Sequence, residues 1–297
     1  MKKQESYQGF EQGPIRPPSE AYSLLVRVSR NCPWNRCKFC HLYKGSRFSI
    51  RPVEHVKRDI DAVYRHVESV RALGDHTGTI TRGDIQPLAA SLEPTEWPAF
   101  QAAVNWVASG MESIFLQDAN SLIVPPADLL EILRHLQTCF GRGIRITSYA
   151  RSHTIARIKD QDLAAFAAAG LNRLHIGLES GSDEVLKMVS KGVTKATHIK
   201  AGRKVKRSGI ELSEYIMPGL GGRALSAAHA TETADALNQI NADFIRIRTL
   251  ALPTTVPLYA DYAAGRFEKS GDVEMAAELL ALLEMLEGID SLSLIHI

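Results

Sequence analysis

Apolar positions along this chain fall into two alternating patterns. The run 23–28, rich in Leu and Val, reads as a short buried strand, and 113–116, 144–148, 173–178, 211–217 and 244–249 read as further strands. Between them apolar residues recur at helical spacing, first as Val53, Val56, Ile60, Val63 and Val67 within 52–71, where Pro52 sits at a tolerated first-turn position. Similar spacing predicts helices over 97–108, 127–139, 161–169 and 226–240, and over 182–208 in two pieces broken at Gly192. The stretch 279–286, with Leu282 and Leu283, suits a terminal amphipathic helix, and 73–94 reads as a linker.

Six strands, each separated from the next by helix, call for parallel pairing with helices outside, because a parallel connection needs a crossover. The predicted fold class is therefore α/β, either doubly wound or curved towards a barrel, and the barrel-like arrangement is favoured. In both architectures ligands sit at the C-terminal ends of the strands, so chemistry is sought in the residues that follow each strand.

Composition narrows the function classes. With 45% hydrophobic and 23% charged residues, the 297-residue chain can bury a sizeable core, which excludes a mainly disordered protein. Lys plus Arg at 35 against Asp plus Glu at 33 leaves a net charge of +2, so nucleic acid is not expected as a partner. Apolar stretches such as 164–169 fall short of the roughly 18 residues of a membrane span. Residues 1–22 lack the apolar region of an export signal, and a cytoplasmic protein with no membrane partner is expected.

Cys32, Cys37 and Cys40 crowd together just after the first strand, whereas Cys139 stands alone. Such clustering points to metal rather than disulfides. Iron–sulfur clusters and zinc both accept thiolates. His41 would complete a Cys₃His zinc set, but structural zinc usually divides its ligands between two separated pairs, and no second pair exists here. A [4Fe–4S] cluster on three thiolates instead leaves one iron open to a substrate.

The spacing Cys32-x4-Cys37-x2-Cys40, with Phe39 before the last cysteine and the loop placed after the first strand, resembles the motif of the radical S-adenosylmethionine (SAM) superfamily. The resemblance spans roughly 23–249 and implies a partial (β/α)6 TIM-like barrel. It further implies a [4Fe–4S] cluster on the three cysteines, whose open iron chelates SAM. In that family an electron from the reduced cluster cleaves SAM to methionine and a 5′-deoxyadenosyl radical, which abstracts hydrogen from a substrate, here unidentified. The implied partners are that substrate and a low-potential electron donor of the flavodoxin or ferredoxin type, with sensitivity to oxygen. The run Gly177-Leu-Glu-Ser-Gly181 is similar to the Gly-x-Glu-Ser-Gly segment of members near the methylthiotransferases and the coproporphyrinogen-oxidase-like group.

On this resemblance SAM contacts are expected at successive strand ends. Asp118 and Asn120 stand where the family often carries Gly-Gly-Glu, the alternative being an Asx-type turn that starts the next helix. Ser148 and Arg151 follow at the third strand, and the Arg151 guanidinium suits a carboxylate. Glu179 and Ser180 are implied to bind SAM through its ribose or methionyl group; the alternative is capping by Ser180 or Ser182 with Glu179 in solvent. Met217 and Gly219 belong to a glycine-bearing segment resembling the family's adenine segment, where a missing side chain lets backbone approach a flat ring. Arg246 and Arg248 share one strand face, inward towards an anionic substrate or outward towards helices.

Other features read as structural. Cys139 reads as a buried small hydrophobe, Trp97 and Trp106 as core, and His135 and the other scattered histidines show no ligand spacing. No cysteine follows Cys139 to hold an auxiliary cluster, and the residues before the first strand are too few for a cobalamin-binding domain. The competing functions are a non-catalytic haem or porphyrin chaperone that retains the cluster and a zinc-stabilised scaffold. The expected organisation is an extended segment 1–22, a core 23–250, a helical extension 251–291 and a tail 292–297. That tail reads either as translated adapter sequence, which would let the natural chain continue beyond Ser291, or as an ordinary apolar tail.

Overall fold

The computed structural model describes residues 5–77 and 79–295. Its chain divides into two compact units, one of Met1–Asn31, Phe48–Ser148 and Ala168–Asn172, the other of Cys32–Arg47, Tyr149–Ala167 and Arg173–Ile297.

In the first unit β1 (Leu24–Arg27) leads into a two-residue strand β2 (Ser29–Arg30), which pairs antiparallel with β3 (Ser49–Ile50). Helix α1 (Val53–Thr77) buries the predicted stripe, with Val56, Ile60, Val63 and Val67 each no more than 1% exposed. Helix α2 (Arg82–Ala90) stands where the sequence reads as a linker. Its first turn is closed by the Thr81 N–H, which donates to Asp84 Oδ2 at 2.8 Å. Because α2 buries no residue and contains Pro87, it carries no apolar period for the sequence to reveal.

Helix α3 (Trp97–Ala108) buries Trp106, but Trp97 is 45% exposed rather than core, since it occupies the first residue and leans on Phe100. Strand β4 (Ser113–Gln117) is buried at every position, and α4 (Pro126–Phe140) packs on α1. Strand β5 (Arg145–Ala150) completes a parallel set, with Leu24 opposite Ile114 and Ser113 opposite Arg145.

The second unit continues through α5 (Ser152–Ile155), α6 (Asp160–Ala168), β6 (Leu171–Glu179), α7 (Asp183–Met188), α8 (Lys195–Arg207), β7 (Glu211–Ile216), α9 (Gly222–Ile240) and β8 (Phe244–Ile247). It ends with α10 (Pro257–Ala263), α11 (Asp272–Glu284) and β9 (Leu292–Ile295). Strands β6, β7 and β8 are parallel, with Arg173 opposite Glu211 and Ser213 opposite Phe244. All six predicted strands are present, and the α/β class with parallel pairing holds. The short α5 and α10 were not predicted, for a helix of one or two turns displays too little periodicity. Strand β9 pairs with β8 where an unpacked tail is expected, Leu292 opposite Phe244; positions 296 and 297 lie outside the described residues. Among the described residues no helix is long and apolar enough to cross a membrane.

Alternation along β6 to β8 separates two faces. Leu174, Ile176, Leu212, Ile216, Ile245 and Ile247 are buried on one, and His175, Ser213, Tyr215 and Arg246 lie on the other. Arg246 is fully buried there, its Nε donating to Ser213 Oγ at 2.9 Å, while Arg248 lies past the strand and is exposed. Glu214 is the exception on the apolar face, in register with Ile176 and Ile245. Burial pushes its carboxyl well above the usual carboxylate range, against the pull of Lys191.

Glu214 therefore keeps its proton in the fold, while the unfolded chain loses it above about pH 4, so its contribution to stability falls as pH rises from there. Glu214→Gln is expected to gain stability over wild type at pH 7 and to gain nothing at about pH 4, measured by urea denaturation. The same gain at both pH values would show that this carboxyl is not held protonated.

Candidate cluster and SAM site

The cysteine loop, Cys32–Arg47, belongs to the second unit, and backbone bonds fix its path. The Lys38 N–H donates to Val189 O at 2.9 Å, and Lys38 O accepts from the Leu258 N–H at 2.9 Å. Lys38 Nζ meets Asp261 at 2.8 Å. One residue thus ties the loop to the end of α7 and the start of α10. Trp34 adds a second tie through Nε1, which donates to Ser190 O at 2.8 Å. Its ring lies against Gly192, which has φ +72° and where an added Cβ would come within 2.2 Å of the indole. The Asn35 N–H donates to Cys32 Sγ at 3.4 Å, and Phe39 packs against the apolar cluster that contains Val189 and Leu258.

All three cysteines are partly buried and free of disulfides. Burial pushes the Cys37 and Cys40 thiols up, and the charge of nearby Cys32 adds to the effect on both. Lys191 and Arg151 oppose it at Cys37. Arg151 is itself buried enough for its pKa to fall, with Cys32 and Cys37 holding it up. Its guanidinium donates to Lys191 O at 2.9 Å and lies 5.2 Å from the centre of the Trp34 ring. Lys191 Nζ lies 3.0 Å from Glu179 Oε1 and 5.6 Å from the Phe39 ring centre.

Glu179 ends β6 with φ +63°, at a register shift against β7, and its carbonyl accepts from the Met217 N–H at 3.0 Å. The flanking glycines have separate steric reasons. A Cβ on Gly177 would lie 2.1 Å from Glu179 Oε1, and one on Gly181 would lie 2.0 Å from the Glu232 carbonyl in α9. Ser182 caps α7, accepting from the Val185 N–H, while Glu179 is only 14% exposed and paired with Lys191. Ser180 is buried, with its Oγ 2.7 Å from His229 Nδ1 and accepting from the Ser182 N–H at 3.0 Å.

The glycine-bearing segment is held by α9 and α11. His229 Nε2 lies 3.1 Å from Met217 O, and the Gly219 N–H donates to Glu278 Oε1 at 2.7 Å. Gly219 has φ +81°, and a Cβ there would meet the Met275 sulfur at 2.8 Å.

The second unit thus brings Cys32, Cys37, Cys40, Phe39, Arg151 and Glu179 together, with Ser180, Met217 and Gly219 on the segments that continue from Glu179 or bond to it. Asp118, Asn120 and Ser148 belong to the first unit. Asp118 is fully buried, and its Oδ2 accepts from Arg27 Nε at 2.9 Å and from the Asn31 N–H at 2.9 Å, just before Cys32. Ser148 Oγ donates to Leu116 O at 3.1 Å, and the Asn120 carbonyl accepts from the Ile123 N–H at 3.3 Å in a turn. Sequence reasoning missed Lys191, His229 and Glu278. Only Lys191 left a signal, as a cation at the break beside Gly192.

The family model for the Radical SAM superfamily matches residues 26–229 of this chain. The chain belongs to the radical SAM superfamily. The family's cofactors are a [4Fe–4S] cluster and SAM. Solved structures share the fold. The archaeal Elp3 of Methanocaldococcus infernus, with an N-terminal deletion, is 14% identical with a TM-score of 0.52, over 67% of this chain and 51% of that one. The radical SAM methyltransferase TsrM from Kitasatospora setae, with cobalamin and a [4Fe–4S] cluster bound, is 17% identical at 0.54, over 81% and 39%. Coproporphyrinogen III oxidase HemN from Escherichia coli is 15% identical at 0.55, over 88% and 52%. The chain therefore spans about half the length of these proteins or less. No curated protein sequence matches it significantly.

The donor set fits such a cluster. Three thiols on one anchored loop would hold a cluster with one iron left open, and the nearby Arg151 and Lys191 would offset the negative charge that thiolates bring.

If the Trp34 ring pins this loop, Gly192→Ala and Gly209→Ala should differ, since both positions have positive φ but Gly209 faces open space. Gly209→Ala is expected to cost about 1 kcal/mol from backbone strain. Gly192→Ala should lose a further 1–3 kcal/mol or so in urea denaturation, because the indole must move. Equal losses would show that the ring yields freely.

Proposed function

We propose that Cys32, Cys37 and Cys40 hold the [4Fe–4S] cluster and that Arg151, Glu179 and the Met217–Gly219 segment bind SAM beside it. The observation that carries this reading is the convergence of Arg151, Lys191 and Glu179 beside the cysteine loop, with Arg151 donating to Lys191 O at 2.9 Å and Lys191 Nζ 3.0 Å from Glu179 Oε1, and with both cations favouring the Cys37 thiolate. When bound, the cluster supplies the electron that cleaves SAM reductively, and the organic product then takes a hydrogen atom from a substrate that we leave unidentified.

The chain's own part is binding and orientation. Lys191 engages Glu179 through Oε1, which turns the carboxylate so that its second oxygen accepts from a SAM hydroxyl or ammonium. Arg151 presents a buried cation to the thiolates and to the SAM carboxylate. Glu278 accepts from the Gly219 N–H, which fixes the Met217–Gly219 backbone that would border a flat ring, while Met275 fills the space a side chain on Gly219 would need. Ser180 serves as a bridge between His229 and α7, and Asp118 holds the chain that enters the cysteine loop. A low-potential flavodoxin or ferredoxin in a reducing cytoplasm is the electron donor this chemistry calls for.

Anaerobically reconstituted protein should contain about four iron and four sulfide per chain. Cys32→Ala, Cys37→Ala and Cys40→Ala should each lose them, and Cys139→Ala should keep them. With dithionite, wild type should release 5′-deoxyadenosine slowly without substrate. Zinc in place of iron would sink the assignment, and stoichiometric porphyrin binding without SAM cleavage would return the chaperone reading. Glu179→Ala is expected to weaken SAM binding by about 1–3 kcal/mol, with Lys191→Met changing it in the same direction. Unchanged dissociation constants in both would remove Glu179 from the SAM site.

A further inference from the structure

The seam between α1 and α4, within the first unit, carries a second set of ligand-type side chains. Asp61 of α1 faces His135 and Cys139 of α4, which stand one helical turn apart. His135 Nε2 lies 2.6 Å from Asp61 Oδ1. Cys139 Sγ lies 3.8 Å from that nitrogen and 3.9 Å from that oxygen. One donor atom from each residue thus falls within 4.8 Å of the others. Nearer the start of both helices, Lys57 Nζ meets Glu131 at 2.8 Å across the same seam, so a neighbouring pair holds the spacing of the two helices. Cys139 is partly buried rather than a core hydrophobe, and His135 has acquired through folding the partners that its spacing in the sequence did not show.

Two chemistries use a thiol, an imidazole and a carboxylate together. A nucleophile relay needs both ring nitrogens, the thiol on one and the carboxylate on the other. Here both contacts fall on Nε2, so the ring has no path to pass a proton from one to the other. The thiol is also pushed up to about 11 by burial and by Asp61, the opposite of an activated nucleophile. Convergence of sulfur, nitrogen and oxygen on one point is instead the requirement of a borderline divalent ion. The Asp61 side chain is 46% exposed, which gives such an ion access from solvent.

We propose that Asp61, His135 and Cys139 form a zinc site outside the cluster loop, with water as the fourth ligand. As the zinc–sulfur bond forms, the S–H bond of Cys139 breaks and its proton passes to solvent. His135 binds as neutral imidazole and Asp61 as carboxylate. No electron moves. Because the ligands come from two helices, the ion clips α1 to α4.

Cobalt(II) serves as the spectroscopic probe. In the full chain carrying Cys32→Ala, Cys37→Ala and Cys40→Ala, Cys139 is the only thiol left. Anaerobic titration should then give a thiolate-to-cobalt charge-transfer band that saturates at one equivalent, is displaced by zinc, and is lost on further His135→Ala or Cys139→Ala substitution. Should that variant fail to fold, the cluster-loaded wild type decides the question. Zinc should protect Cys139 from alkylation, followed by peptide mapping, and raise the melting temperature, with both effects lost in His135→Ala. Cobalt binding without the band, or protection by zinc that survives His135→Ala, would overturn the proposal.

Discussion

The loop that bears the three cysteines proposed to hold the cluster is fixed by groups other than the thiols, largely by the Lys38 backbone and the Trp34 side chain. Lys38 gives its N–H to Val189 and its carbonyl to Leu258, so the loop is hydrogen-bonded on both sides to structure that does not depend on metal. Trp34 closes the other end on Ser190 and Gly192. The break between α7 and α8 therefore does more than end a helix. Its one residue without a side chain, at positive φ, is where the indole sits.

The same break supplies Lys191, and its position explains the electrostatics. Burial alone penalises the thiolates that a cluster needs, as the raised Cys37 and Cys40 show. Arg151 and Lys191 oppose that penalty at Cys37, and the Arg151 donation to Lys191 O keeps the two cations in a defined relation. Glu179 then balances Lys191. The helical extension contributes as well. Through Glu278 it reaches Gly219, so residues beyond the superfamily match support the segment assigned to SAM.

The first unit solves a comparable problem with ions instead of apolar contacts. Asp118 accepts from Arg27 and from the Asn31 N–H, Glu11 pairs with Arg27 and Arg30, and Arg51 pairs with Asp59. Such buried and half-buried pairs are costly to break singly, because each leaves an uncompensated charge. They fix the chain that leads into Cys32.

Apolar runs and periodicity together determined the six strands and most of the helices, because burial of one face imposes a period of 2 or 3.6, while a strand buried throughout, such as β4, shows an unbroken apolar run. The cysteine spacing and the Gly-x-Glu-Ser-Gly run were equally legible as patterns, but only Gly177 answers to the carboxylate beside it, whereas Gly181 is required by the Glu232 carbonyl of α9. What the sequence left open was decided by contacts between distant positions. Only the Thr81–Asp84 pair at its start marks α2 locally, since the helix has no buried face, and nothing local marks the exposure of Trp97. Arg246 lies on the polar face opposite Tyr215, where its guanidinium reaches Ser213, and Ser180 became a buried bridge because α9 places His229 against it. Lys191, Glu278 and the pairing of His135 with Asp61 all join residues separated by a dozen positions or many more. Their meeting is a property of packed helices and paired strands, which a one-dimensional pattern records only as isolated charged residues.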